Sequence, residues 1–210
     1  MINSLTHRGP DDKGSWIDKC GLAMGHNRLS IIDLSSNGSQ PMISADGRFV
    51  ISYNGEIYNH ISLRKKLEKD SAHIKWRGTS DTETLSNCIM FYGFAETLKL
   101  LQGMFAIAAW DQKLKCLFLA VDRFGEKPIY YGLQKNSFAF ASDLNAIKQH
   151  PDFGQLSIDR NSLGLFFKHN CIPSPFSIYK DVKKLRGGEF LKIDFEKDIS
   201  PNIQSSTYWS

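Results

Sequence analysis

The chain has 210 residues, 41% hydrophobic and 23% charged, the composition of one folded domain rather than of a disordered chain. Its 26 Lys and Arg against 22 Asp and Glu leave a net +4, too small and too scattered for a nucleic-acid face. No apolar run approaches the roughly 18 residues that span a bilayer, so no membrane helix is expected.

The chain then reads in order. Residues 1–20 are rich in Gly, Pro and Asp and are expected to be loop and turn. Alternation over 21–26 predicts a strand, and 29–34 is a short apolar run. Asp46-Gly47 ahead of Arg48-Phe49-Val50-Ile51-Ser52-Tyr53 reads as a hairpin entrance. Asn59 is expected to cap a helix to about Lys69, with Ile61, Leu63 and Leu67 inward. Ser80-Asp81-Thr82-Glu83 is a capping box opening a helix to Tyr92 that Gly93 closes. A short helix over 95–102 follows, then strands over 104–110, 117–121, 129–132 and 138–141. A helix over 161–168 and a strand pair within 182–194, with Gly187-Gly188 between, complete the series. Strands come in runs and helices cluster near the middle. That order predicts an α+β fold with antiparallel sheets.

Four cysteines stand at 20, 88, 116 and 171 with no CxxC pair, so no zinc site is expected. Cys88 and Cys116 fall in apolar patterns and read as buried hydrophobes. Free thiols point to a reducing compartment, the cytoplasm. The six histidines are dispersed, and no metal is expected. Arg64-Lys65-Lys66 and Lys183-Lys184 read as solvated faces.

Three places carry more chemistry than folding demands. Arg28 borders the apolar run Leu29-Ser30-Ile31-Ile32, and a charge there needs a partner. A structural ion pair is the plainer explanation. Asn54-Gly55 is either a hairpin turn or a pair of donors for a developing oxyanion. Asp81 opens a capped helix, where the helix dipole favours an acid, or it binds an ammonium group.

Seven segments unite these places: LTHRGPDD over 5–12, HNRLSIID over 26–33, QPM over 40–42, YNGEIYN over 53–59, SDTE over 80–83, GMFA over 103–106 and DRFGEKPIYY over 122–131. In that order they resemble the glutaminase domain of glutamine-hydrolysing asparagine synthetases. Those are class II glutamine amidotransferases of the N-terminal-nucleophile hydrolase type. The resemblance covers almost the whole chain. It implies a four-layer αββα sandwich of two antiparallel sheets. It also implies that Arg28 grips the α-carboxylate of L-glutamine while Asp81 and Glu56 take the α-ammonium. Leu29, Ile31 and Ile32 line the pocket, and Asn54 and Gly55 form the oxyanion hole.

The family's nucleophile is a cysteine at the mature N-terminus, which forms a thioester as ammonia leaves. No residue here matches it, and the family's first strand is missing upstream of Leu5. The expectation is therefore a glutamine-binding scaffold without turnover. Residues 1–198 are taken as an N-terminally truncated amidotransferase domain and 199–210 as a linker toward a synthetase domain. No cofactor is expected in this chain; ATP and Mg belong to that synthetase domain, which activates aspartate and receives the ammonia for asparagine biosynthesis. Two alternatives stand beside this one. One is a non-catalytic glutamine-binding or regulatory module. The other is the glutaminase of an amidotransferase acting on a sugar or another carboxylate. The open sheet edge predicts a homodimer that covers it.

Overall fold

A computed structural model describes residues 1–71, 74–195 and 201–210. In chain order the elements are β1 (Asp12–Ile17), β2 (Ala23–Arg28), β3 (Met42–Ile43), β4 (Phe49–Ile57), α1 (His60–Asp70), α2 (Asp81–Tyr92), α3 (Phe94–Leu100), β5 (Gly103–Asp111), β6 (Cys116–Val121), β7 (Tyr130–Gln134), β8 (Ser137–Ala141), α4 (Leu144–Lys148), α5 (Arg160–His169), β9 (Val182–Lys184), β10 (Glu189–Asp194) and β11 (Asn202–Thr207). All strand pairings within the three sheets are antiparallel. A six-stranded sheet has the order β11-β10-β6-β5-β4-β3. Facing it are two smaller sheets, β1-β2 and β8-β7-β9.

The layers follow from alternation along the central strands. Ile51 and Tyr53 of β4 and Phe105 and Ile107 of β5 turn to one side, where Leu63, Leu67, Leu85, Ile89 and Leu98 of α1–α3 cover them. Val50, Ala106, Ala108 and Trp110 turn to the other side and meet Met24 and Ile129, with Trp16, Tyr131, Phe138 and Phe140 packed around them. On the outer face of the three-stranded sheet, Ala139 and Val182 pack with Ile147 of α4 and with Phe153. The result is helices, large sheet, split small sheet, helix: the expected four-layer sandwich with its second sheet in two pieces. No described helix is long and apolar enough to cross a membrane.

Several expectations need correction. Residues 1–20 are not all loop: a 3₁₀ segment spans Ile2–Arg8 and β1 follows. The Gly and Asp that suggest turns sit on a strand whose alternate residues are half-buried. The 29–34 run is exposed loop, with Leu29, Ile31 and Leu34 each more than half exposed. β9 and β10 do not pair with each other. β9 joins β7 and β10 joins β6, because Leu185 and Leu191 fill the same inter-sheet core from opposite sheets. The stretch 202–207, read as linker, is the edge strand β11. An edge strand held by backbone pairing needs no apolar pattern, so its polar sequence hides it.

The helices bring smaller corrections. Asn59 does not cap α1 with its side chain. It instead ties the start of α1 to the α3–β5 connection, donating to Leu100 O at 2.9 Å and accepting from Gln102 N at 3.0 Å. Ile61 is 53% exposed, so only Leu63 and Leu67 form the inner stripe of α1. Arg64 is no solvated lysine-like charge. It lies 4.0 Å over the Trp76 ring and pairs with buried Glu83 at 3.4 Å. The five-residue helix α4 has no counterpart in the sequence reading.

Candidate active site between the sheets

β4 builds one wall. With a period of two, Ser52, Asn54 and Glu56 leave the helix side and face the small sheets. On the neighbouring strand the same face carries Ala106 and Ala108, small residues that keep the space open. Asn54-Gly55 is therefore not a hairpin turn; both residues lie mid-strand, opposite Ala106 and Phe105. Gly55 has φ +154, and a Cβ there would collide with the Met104 carbonyl oxygen, so only glycine fits.

β2 builds the opposite wall by the same alternation. Met24 fills the core, His26 and Arg28 follow on its face, and Arg28 ends the strand. Arg28 is buried and makes no ion pair with a described residue. Its guanidinium donates to the carbonyl oxygens of Ser35, at 2.9 Å, and Asp33. It thereby folds the 29–38 loop around itself. His26 Nδ1 lies 3.2 Å from Ser52 Oγ, a bond that joins the two walls. Burial, and then the positive charge of Arg28, lowers the His26 pKa to about 4, so the ring is neutral near pH 7.

The third wall is the N-terminus of α2. Ser80 Oγ accepts from Glu83 N at 3.2 Å, the expected cap. Glu83 does not reach back to Ser80; its carboxylate accepts from the backbone of Arg77 and Gly78. Asp81 is buried at the first helical position. Its Oδ2 accepts from Tyr53 Oη at 2.7 Å and Ile57 N at 3.0 Å. Burial and the Asp81 charge push the Tyr53 phenol far above its ordinary range, so Tyr53 stays a donor. Tyr53 and Ile57 approach Asp81 through Oδ2, and Asp81 lines the cavity.

One loop locks these walls together. Asp33 accepts from Ser35 Oγ at 2.6 Å, Ser35 N at 2.9 Å and Thr79 N at 2.8 Å. The Ser35 and Thr79 bonds hold the Asp33 carboxyl down at about 2. Gln40 Oε1 accepts from Tyr53 N at 2.6 Å, and its Nε2 donates to Thr82 Oγ1 at 3.3 Å. The loop is thus pinned to β4 and to the start of α2.

All eight residues singled out in the sequence line one cavity of about 980 Å³: Arg28, Leu29, Ile31, Ile32, Asn54, Gly55, Glu56 and Asp81. Sequence reasoning missed His26, Ser52, Gln40 and Lys127, which line it too. A signal for two of them was present: His26 and Ser52 stand two residues before Arg28 and Asn54, hence on the same strand faces. Among the cysteines, Cys88 and Cys116 are buried in packing, where burial pushes their thiols up to about 12 and about 11. Cys20 touches the cavity from the β1-β2 turn. Arg28 pairs at the other end of that hairpin, about 20 Å away at ~3.3 Å per strand residue. Among the described residues no three His, Cys, Asp or Glu are grouped to hold a metal ion.

Chemically, the cavity offers a fixed cation, two carboxylates, an amide donor and a strand backbone that a ligand can approach closely. That set suits a small zwitterion carrying a polar tail.

Comparison with known proteins fits this geometry. Residues 1–209 match the family model described as a glutamine amidotransferase domain. A putative glutamine-hydrolysing asparagine synthetase 2 of Methanocaldococcus jannaschii is 35% identical over the whole chain and 42% of its own length. Glutamine-hydrolysing asparagine synthetase 3 of Bacillus subtilis is 36% identical over the whole chain and 33% of its own length. The chain thus spans well under half of these relatives. Among solved structures, a glutamine phosphoribosylpyrophosphate amidotransferase from B. subtilis superposes with a TM-score of 0.61 at 20% identity. That match covers 89% of this chain and 34% of the other, and it supports the fold.

Proposed function

Because this chain belongs to the glutamine amidotransferase domain family, we infer that its inter-sheet cavity binds L-glutamine and presents the side-chain amide for hydrolysis. The observation that carries the reading is the convergence of Arg28, Asp81 and Asn54-Gly55, which lie far apart in sequence, on one cavity. Arg28 binds the α-carboxylate with the guanidinium edge that Asp33 and Ser35 leave free, a charge-assisted contact. Asp81 and Glu56 take the α-ammonium. Asn54 and the Gly55 backbone hold the oxyanion that forms when the amide carbon becomes tetrahedral. Leu29, Ile31 and Ile32 border the mouth.

Calorimetry with L-glutamine tests this directly. Arg28→Ala is expected to weaken binding at least tenfold, since hydrogen bonds to charged groups contribute about 1.5–3 kcal/mol. D-glutamine is expected to bind far more weakly, because its ammonium points away from Asp81. Equal affinity for both enantiomers, or for Arg28→Ala, overturns the reading.

The relatives' names suggest where the ammonia goes. We propose that it serves an ATP-dependent ligase that amidates aspartate, as in glutamine-hydrolysing asparagine synthetases. The four cysteines are all free, which supports a reducing compartment, and we propose the cytoplasm. Among the described residues β8 pairs only with β7 and β2 only with β1, so each small sheet keeps an edge with no described partner. A second copy covering these edges is expected to give a dimer mass in light scattering; a monomer mass counts against it.

A further inference from the structure

We propose that Asp33 is a positioning residue for ligand selection: it fixes the gap between Arg28 and Asp81, so that a ligand carrying an anion and a cation at one set spacing engages both. The proposal rests on the glutamine reading of the cavity and adds the residue that makes its two charged ends act together.

The 29–38 loop is built inside out. Leu29, Ile31 and Leu34 are more than half exposed, while Asp33 is buried. A buried carboxylate is costly unless its oxygens are used. Here they accept from Ser35 N, Ser35 Oγ and Thr79 N. The two Ser35 bonds are local. The Thr79 bond spans 46 residues to the segment that enters α2, two positions before Asp81. At the other end of the same residue, the Asp33 carbonyl oxygen accepts from the Arg28 guanidinium. One residue thus holds the proposed anion binder through its backbone and the approach to the proposed cation binder through its side chain. Among the described residues no hydrogen bond or ion pair joins Arg28 to Asp81 directly.

Two further contacts close the same seam. Asn37 Nδ2 donates to Arg77 O at 2.8 Å. At Gly78 a Cβ would lie 2.4 Å from Asp33 Oδ2, so the two segments meet with no room to spare.

Each charged group also has support of its own. Arg28 donates to Ser35 O, and Asp81 accepts from Tyr53 and Ile57. Cutting the Asp33–Thr79 tie therefore leaves both holders in place and frees the distance between them. With the tie intact, a ligand that has met one holder finds the other already placed, and no ordering of two loops opposes the second contact. Asp33→Asn cuts this tie. Its one amide oxygen can serve Ser35, and its NH2 then faces the Thr79 N–H, donor against donor.

The test titrates the full chain with three ligands, read by calorimetry and by ligand-detected NMR. L-Glutamine carries both charged ends. Glutaramate keeps the carboxylate and the amide, and 4-aminobutanamide keeps the ammonium and the amide. Asp33→Asn is expected to weaken L-glutamine roughly tenfold, while each single-ended ligand changes by less than about twofold. An equal loss for all three ligands, the mark of a merely structural role, overturns the proposal. So does L-glutamine binding within about twofold of the unsubstituted protein. Both results leave the glutamine reading intact, whereas an unsubstituted protein that does not bind L-glutamine sinks the two together. Far-ultraviolet circular dichroism checks folding. Should Asp33→Asn misfold, Gly78→Ala decides by the same criteria, because its Cβ pushes the Asp33 carboxylate off the seam while every donor and acceptor is kept.

Discussion

The two faces of β4 are built from neighbouring residues and obey opposite rules. Ile51 and Tyr53 face α1–α3, and Ile51 is fully buried in a close-packed apolar core. Ser52, Asn54 and Glu56 face the small sheets and stay half-buried and polar around an open cavity. The helix-side face gains its free energy from apolar area removed from water. The cavity-side face keeps polar groups apart from one another, a cost in stability that leaves them available to a ligand. Stability and function are thus separated by a step of one residue along the same strand.

Substitutions can break that separation or sharpen it. The largest stability effect is expected on the helix side. Leu85→Ala empties a fully buried position of α2 and should cost about 2–5 kcal/mol. Denaturant titration reads the loss, and the glutamine affinity of the remaining folded protein should stay unchanged. Asn54→Ala is the mirror experiment. It should move the denaturation midpoint little, a shift of ~0.5 kcal/mol or less. It should nonetheless weaken L-glutamine binding several-fold in calorimetry, since one neutral hydrogen bond to the ligand contributes about 1 kcal/mol. A large stability loss in Asn54→Ala would erase the distinction between the faces.

The smallest effect belongs to the loop that joins the walls. The Asp33 carboxyl is held down at about 2 by bonds from Ser35 and Thr79. A lowered carboxyl stabilises the fold fully above its ordinary value of 3.8, and that contribution is lost as the pH falls through about 2. Melting temperatures of the native protein and of Asp33→Asn should therefore differ near pH 6 and converge near pH 2. A constant difference across that range would mean that the carboxylate charge is not what pins the loop.

Much of the fold was legible because its signals are local. The N-cap at Ser80 and the stop at Gly93 depend on backbone chemistry within one helix, and both appear as read, although Glu83 turns to Arg77 and Gly78 instead of closing the box. The strands β5, β6, β7 and β8 carry apolar patterns strong enough to be found within a residue or two. β1, β11 and α4 were missed for a common reason. Each is short or lies at an edge, so most of its stabilisation comes from partners remote in sequence. Asn59 shows the same limit for a single side chain. It is a good N-cap residue by type, yet the 41-residue reach to Leu100 decides where its amide goes.

The site divides in the same way. The residue types at 28, 54, 55 and 81 and their surrounding motifs belong to the sequence alone, because charge, amide chemistry and the freedom of glycine are properties of single residues. That Asn54-Gly55 runs through mid-strand rather than around a turn came from pairing with β5. That Arg28 curls the 29–38 loop about itself, and that His26 meets Ser52 across the cavity, came from stacking one sheet on another. Side-chain chemistry is written residue by residue, but distance between strands is set only when two sheets bury a common core.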